Sequence, residues 1–209
     1  MRCAIGLLTG LLTGLRASLA ACLVAGPCAA WTSEVRAGGT GVGETRAAMV
    51  VLPPVVTDAE LFDATGRTVR FRRDVLGQGV TLVTFTYRGC VSLCPLSDVV
   101  AEHVEALLEK AGAGDVRIVT LTLDPSGDPV ELRRHAEQIG MSPRRMLLSG
   151  DLRETAPLLD GLGAPFGTLE NHRLFFLIFD AKGRFVDRIA LDKAVPEDIA
   201  ARLVAISGR

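Results

Sequence analysis

From Val50 onward the spacing of apolar positions changes period repeatedly, and each change marks an element. Val80 to Thr86 is a short, β-rich apolar run bounded by glycine, as a buried strand would be. It gives way to Leu96, Val99, Val100, Val104, Leu107, Leu108 and Ala111, which recur at helical spacing until Gly112. Val116 to Leu123 is a second apolar strand, closed by Asp124-Pro125, and Asp128-Pro129 then caps a helix that places Leu132, Ala136 and Ile139 on one face. Arg145 to Leu148 predicts a short strand, and Asp151 to Leu162 a helix interrupted near Pro157. Two hairpins flank this core. Leu61 to Phe71 turns at Gly66, while Leu174 to Phe179 and Phe185 to Ile189 are joined by Asp180-Ala181-Lys182-Gly183. Pro196 to Ile206 closes the chain as a helix.

Strands linked by helical crossovers, then a hairpin and a last helix, predict an α/β fold with a central mixed sheet flanked by helices and an N-terminal hairpin. The thioredoxin-like fold fits this order. In that architecture the turn after the first central strand opens a helix, and here that turn carries Cys90 and Cys94.

The apolar pattern of the first thirty residues is of another kind. Ile5 to Leu15 and Ala17 to Ala30 are two apolar runs divided by Arg16, which suits an export signal cleaved after Cys28-Ala29-Ala30. Leu19-Ala20-Ala21-Cys22 also has the form of a lipoprotein signal, and an uncleaved membrane anchor is the third option. All three place the remainder outside the cytoplasm, on the periplasmic side, tethered or secreted. Residues 31–49, with Gly38, Gly39, Gly41 and Gly43, suit a flexible tether, and residues 50–209 the folded domain.

Composition sharpens this division. Of five cysteines, Cys3, Cys22 and Cys28 fall in the leader, so the domain holds only Cys90 and Cys94 and no framework of several disulfides. A net charge of -1 with scattered basic pairs argues against a nucleic-acid surface.

A spacing of four puts two side chains on one helical face, close enough to share a metal ion or close a disulfide. A helix N-terminus and the nearby Arg88 cation predict lowered thiol pKa values. Thiolates favour Cu(I), zinc or iron–sulfur clusters; two sulfurs with one imidazole suit copper, whereas zinc usually takes a fourth ligand. His103, nine residues after Cys94 on the same helix, lies about 13 Å further along the axis and is out of reach. His135 is placed inside a helix far from any strand end, as a structural residue. His172, in the loop before the strand from Leu174, would face the cysteine turn of a thioredoxin-like sheet and is the candidate third ligand.

The motif Phe85-x-Tyr87-x-x-Cys90-x-x-x-Cys94-Pro95, followed by Asp124-Pro125 with Asp128-Pro129, Leu148-Ser149-Gly150-Asp151, and His172 ahead of Phe179-Asp180-x-x-Gly183, resembles the Sco/SenC family over about residues 50–209. The resemblance implies a membrane-tethered thioredoxin-like domain that binds copper, Cu(I) and also Cu(II), through Cys90, Cys94 and His172. It implies service to the copper centre of cytochrome c oxidase, with a cuproenzyme subunit or another copper carrier and a thiol reductant as partners. It also places Asp124 near the site. The chain has Arg88 where that family usually has Thr, and Val91 where it usually has Pro.

The rival expectation is a thiol-disulfide reductase in which one of Cys90 and Cys94 attacks a partner disulfide and the other resolves the intermediate. A mere staple is disfavoured, because a disulfide closing so short a loop adds little stability.

Overall fold

The computed structural model describes residues 52–90, 93–164 and 174–208. The leader, the tether, Val91, Ser92 and His172 lie outside the described residues, as does the domain boundary expected at residue 50.

Among the described residues eleven principal elements form: β1 (Glu60–Asp63), β2 (Thr68–Arg70), β3 (Thr81–Thr86), α1 (Leu93–Lys110), β4 (Arg117–Thr122), α2 (Pro129–Gln138), β5 (Arg145–Ser149), α3 (Leu152–Gly161), β6 (Phe175–Phe179), β7 (Phe185–Ala190) and α4 (Pro196–Ser207). The sheet order is β2-β1-β5-β4-β3-β6-β7. β3, β4 and β5 are parallel, whereas β1 joins β5, β6 joins β3 and β7 joins β6 antiparallel. This is the mixed sheet expected, and the β1–β2 hairpin is the expected N-terminal one.

Strand periodicity divides the core in two. Val83, Phe85, Val119, Leu121, Leu148, Leu177 and Phe179 pack on one face with Leu158 and Leu159 of α3. Leu82, Ile118, Phe176 and Ile178 pack on the other with Val100, Val104 and Leu108 of α1 and Ile199 and Leu203 of α4. β3 is buried at all six positions. Its central place in the sheet, between β4 and β6, gives it hydrogen-bonded neighbours on both edges.

Helix ends follow the chemistry of their caps. The Asp128 side chain accepts from the Val130 N–H at 2.8 Å with Pro129 in the first turn, and the Asp151 side chain accepts from the Glu154 N–H at 3.0 Å. Contrary to expectation, α3 is not interrupted at Pro157: its ten residues run through it. The missing proline N–H forfeits one hydrogen bond, and burial of Leu158, Leu159 and Leu162 on the same face outweighs that loss.

The face of β3, β4 and β5 that meets α1 is not uniformly apolar. The Thr84 and Thr120 hydroxyls bond each other at 2.7 Å, Thr122 Oγ1 donates to Ser149 Oγ at 2.9 Å, and Arg145 Nη2 donates to Thr120 Oγ1 at 3.2 Å and to Asp98 Oδ1 of α1 at 2.9 Å. The Arg145 side chain is 4% exposed and Asp98 16%. This polar seam fixes α1 against the sheet below the cysteine turn. Asp98→Ala strands the Arg145 cation, and a loss of about 3 kcal/mol of stability is expected. Urea unfolding checks it, and a loss below about 0.5 kcal/mol would show that the pair behaves as an exposed one.

Candidate metal centre

β3 ends at Thr86, and the ladder continues one step further through the Leu123 N–H on the Thr86 carbonyl at 2.7 Å. The chain then reverses in a β-turn, with the Cys90 N–H on the Tyr87 carbonyl at 3.1 Å and Gly89 at φ +78°. That positive φ suits the third position of a type II turn and favours glycine there. Cys90 therefore stands in the turn, before α1, and Cys94 in the first turn of the helix. The expectation that both lie on one helical face is thus corrected. The sulfurs are brought together by another contact: the Cys94 N–H donates to Cys90 Sγ at 3.3 Å. Helix N-terminal N–H groups lack partners within the helix, and here one is satisfied by sulfur.

The two thiols differ in exposure. Cys90 is half-buried and Cys94 is 4% exposed. Burial, followed by the neighbouring Cys90, pushes the Cys94 thiol up to about 12. The expectation of a lowered pKa fails for Cys94, because desolvation exceeds the helix-end effect and Arg88 is committed elsewhere. Its Nε donates to Asp124 Oδ2 at 2.5 Å, its backbone N–H to Asp124 Oδ1 at 3.2 Å, and its Nη1 to Glu131 of α2 at 2.5 Å. Asp124 is thus held beside the cysteine turn, as the resemblance implied, and tied to its Arg88.

Cys90 and Cys94 open on a cavity of about 360 Å³ whose walls include Thr86, Asp98, Glu102 and His135. His135 corrects a second expectation. It lies at the C-terminal end of β3, with Nε2 3.4 Å from Thr86 Oγ1, and is 6% exposed. α2 crosses the sheet on the face of α1, which carries His135 to the cysteine cavity. Burial lowers its pKa, so the imidazole is held neutral. His103 is exposed on α1. Among the described residues no three His, Cys, Asp or Glu side chains converge to hold a metal. His135, as it stands, does not complete a site with the two sulfurs.

Sequence reasoning missed Asp98, Glu102, Thr86 and His135 as walls of this cavity. Asp98 had a signal, since it follows Cys94 by one helical turn. The alternation Leu82, Thr84, Thr86 in a run taken as apolar was another. The softest donors of the cavity are the two sulfurs, and among the described residues no group of three His, Cys, Asp or Glu side chains converges around them. That chemistry fits Cu(I) better than an oxygen-loving ion.

The family model described as SCO1/SenC matches residues 52–207. Among solved structures, copper-bound ScoI of Bradyrhizobium japonicum is 25% identical, with a TM-score of 0.60 over 73% of this chain and 99% of its own. Copper-bound yeast Sco1 is 21% identical, with a TM-score of 0.59 over 73% and 90%. A SCO1/SenC family lipoprotein from Bacillus anthracis is 18% identical, with a TM-score of 0.61 over 74% and 96%. A search of curated proteins gave no match.

The raised Cys94 pKa has a signed consequence for stability. The folded state holds this proton more tightly than the unfolded chain, so the contribution is fully present below about pH 9 and is lost as pH rises towards 12. In urea unfolding of the reduced protein, stability is expected to fall over that interval. The fall should be smaller in Cys94→Ala, and equal slopes in the two proteins would refute it.

Proposed function

The chain belongs to the SCO1/SenC family, and from that membership we propose that it is an extracytoplasmic metallochaperone that binds copper and delivers it to a cuproenzyme such as cytochrome c oxidase. The observation that carries this reading is the pairing of Cys90 and Cys94 at the mouth of one cavity, with Cys90 Sγ held over the start of α1 by the Cys94 N–H. Cys90 and Cys94 supply thiolates, and His172, outside the described residues, supplies the imidazole. Two soft sulfurs and one nitrogen suit Cu(I) at low coordination number, and Cu(II) is the second state the site would accept. A half-buried Cys90 leaves one side of the pair open, which is what transfer by ligand exchange requires.

The apolar leader, with Cys22 in lipoprotein context, supports placement on the periplasmic side of a membrane, and the Bacillus anthracis lipoprotein is a relative of that type. Among the described residues no helix is long and apolar enough to cross a membrane, so attachment would rest on the leader or a lipid.

A second reading, thiol-disulfide reduction of a partner, is favoured by the asymmetry of the two thiols. The Cys90 thiolate would attack a partner disulfide, forming a mixed disulfide and releasing one partner thiolate. Cys94, once deprotonated, would then attack Cys90 Sγ, release the second partner thiol and leave a Cys90–Cys94 disulfide. The partner gains two electrons, and an external thiol reductant restores the pair. Cys94, with its high pKa, suits the slower resolving role.

Copper titration of the reduced protein separates the readings. About one Cu(I) per chain is expected, with loss of tight binding in Cys90→Ser and Cys94→Ser and a weakening of at least about tenfold in His172→Ala. Unchanged affinity in His172→Ala would remove the three-ligand site. Turnover of a disulfide substrate that survives His172→Ala, in a protein that does not retain copper, would establish the reductase instead.

A further inference from the structure

One carboxylate lines the cavity of the cysteine pair and another is bonded to the turn that carries Cys90, and each is engaged by an arginine. Asp98 lies one helical turn beyond Cys94 on α1, lines the same cavity, and its charge acts on the Cys94 thiol. Its Oδ1 accepts from Arg145 Nη2 at 2.9 Å, and Arg145 is buried and anchored to Thr120. Asp124, at the end of β4, has both oxygens occupied by Arg88, one by the side chain and one by the backbone N–H two residues before Cys90. Arg88 is itself braced on Glu131, which also accepts from Ser126 Oγ at 3.1 Å. The other acid that lines the cavity, Glu102, is exposed and lies two turns beyond Cys94, about 12 Å along the helix. It cannot reach an ion held on the sulfurs.

We propose that Arg88 and Arg145 are selectivity residues: by holding Asp124 and Asp98 they keep carboxylate oxygen away from the cysteine pair, so that the site offers sulfur to a soft monovalent ion and denies a further ligand to zinc. The inference rests on Cys90 and Cys94 being metal ligands. Zinc takes four ligands and accepts carboxylate, whereas Cu(I) is satisfied by fewer, softer donors. An arginine suits the task, because its charge stays fixed and its several donors can bridge neighbouring groups, as Arg88 bridges Asp124 and Glu131 and Arg145 bridges Asp98 and Thr120. Arg88 is the element of the pair that can be changed without removing a buried cation, since its side chain is 33% exposed against 4% for Arg145.

The test is metal titration of the reduced full chain with Cu(I), Zn²⁺ and Co²⁺, comparing the wild type with Arg88→Gln, Asp124→Asn and Arg88→Gln/Asp124→Asn. Arg88→Gln should raise Zn²⁺ affinity about tenfold or more while changing Cu(I) affinity less than about threefold. Its Co²⁺ complex should show visible bands shifted by an added oxygen donor. Asp124→Asn alone and the double variant should behave as wild type. Unchanged Zn²⁺ affinity in Arg88→Gln, or a gain that persists in the double variant, overturns the proposal. If Arg88→Gln does not fold by circular dichroism, Arg88→Lys replaces it, since one ammonium cannot hold both Asp124 and Glu131; a smaller gain of the same sign is expected, and none refutes it. A wild type that binds no Cu(I) would overturn the metal reading itself, whereas wild-type Cu(I) binding with unchanged selectivity in Arg88→Gln overturns only this inference.

Discussion

The confinement of β3 is the constraint on which the site depends. With neighbours hydrogen-bonded on both edges and side chains buried on both faces, the strand cannot slip by one residue without driving Thr84 and Thr86 into the apolar cluster of Val83 and Phe85 and breaking the Thr84–Thr120 hydrogen bond. The residue at which it ends is therefore fixed, and the turn that follows inherits that precision. Gly89 reverses the chain, Cys90 falls at the end of the turn, and α1 starts close enough for its Cys94 N–H to meet the Cys90 sulfur.

Around this turn, polar contacts do what apolar packing cannot. The apolar clusters hold the helices to the sheet but leave their rotation loosely specified, since hydrophobic contact has little directionality. The Asp98–Arg145–Thr120 chain gives α1 one orientation, and Arg88 joins the cysteine turn to the end of β4 and the first turn of α2. Both links end on carboxylates that would otherwise compete for a cation at the sulfurs. Structural fixation and control of the local donor set are thus two effects of the same arginines.

The cysteine pair is chemically unequal because the fold treats its members unequally. Cys90 sits in a turn with one side open, and Cys94, in the first turn of α1, is buried with its proton strongly held. A metal that binds both must displace that proton, which a soft ion with strong affinity for thiolate does more readily than a hard one. The same inequality suits an attacking and a resolving thiol, so the metal and redox chemistries draw on one geometry.

The element order, the mixed sheet, both hairpins and the position of the cysteine turn were legible from periodicity, because strand and helix spacing and the Asp and Gly punctuation are local properties. Cys90 and Cys94 were legible as the domain's sole cysteine pair by counting. The Pro157 break was misjudged because local propensity pointed one way and burial of three leucines the other. His135 came to the cavity only because α2 lies over the same face of the sheet as α1, and Arg145 met Asp98 across that face, relations between residues tens of positions apart. The Cys94 pKa was misjudged for the same reason: charge near a helix end can be read along the chain, whereas desolvation depends on what the rest of the fold places around the sulfur.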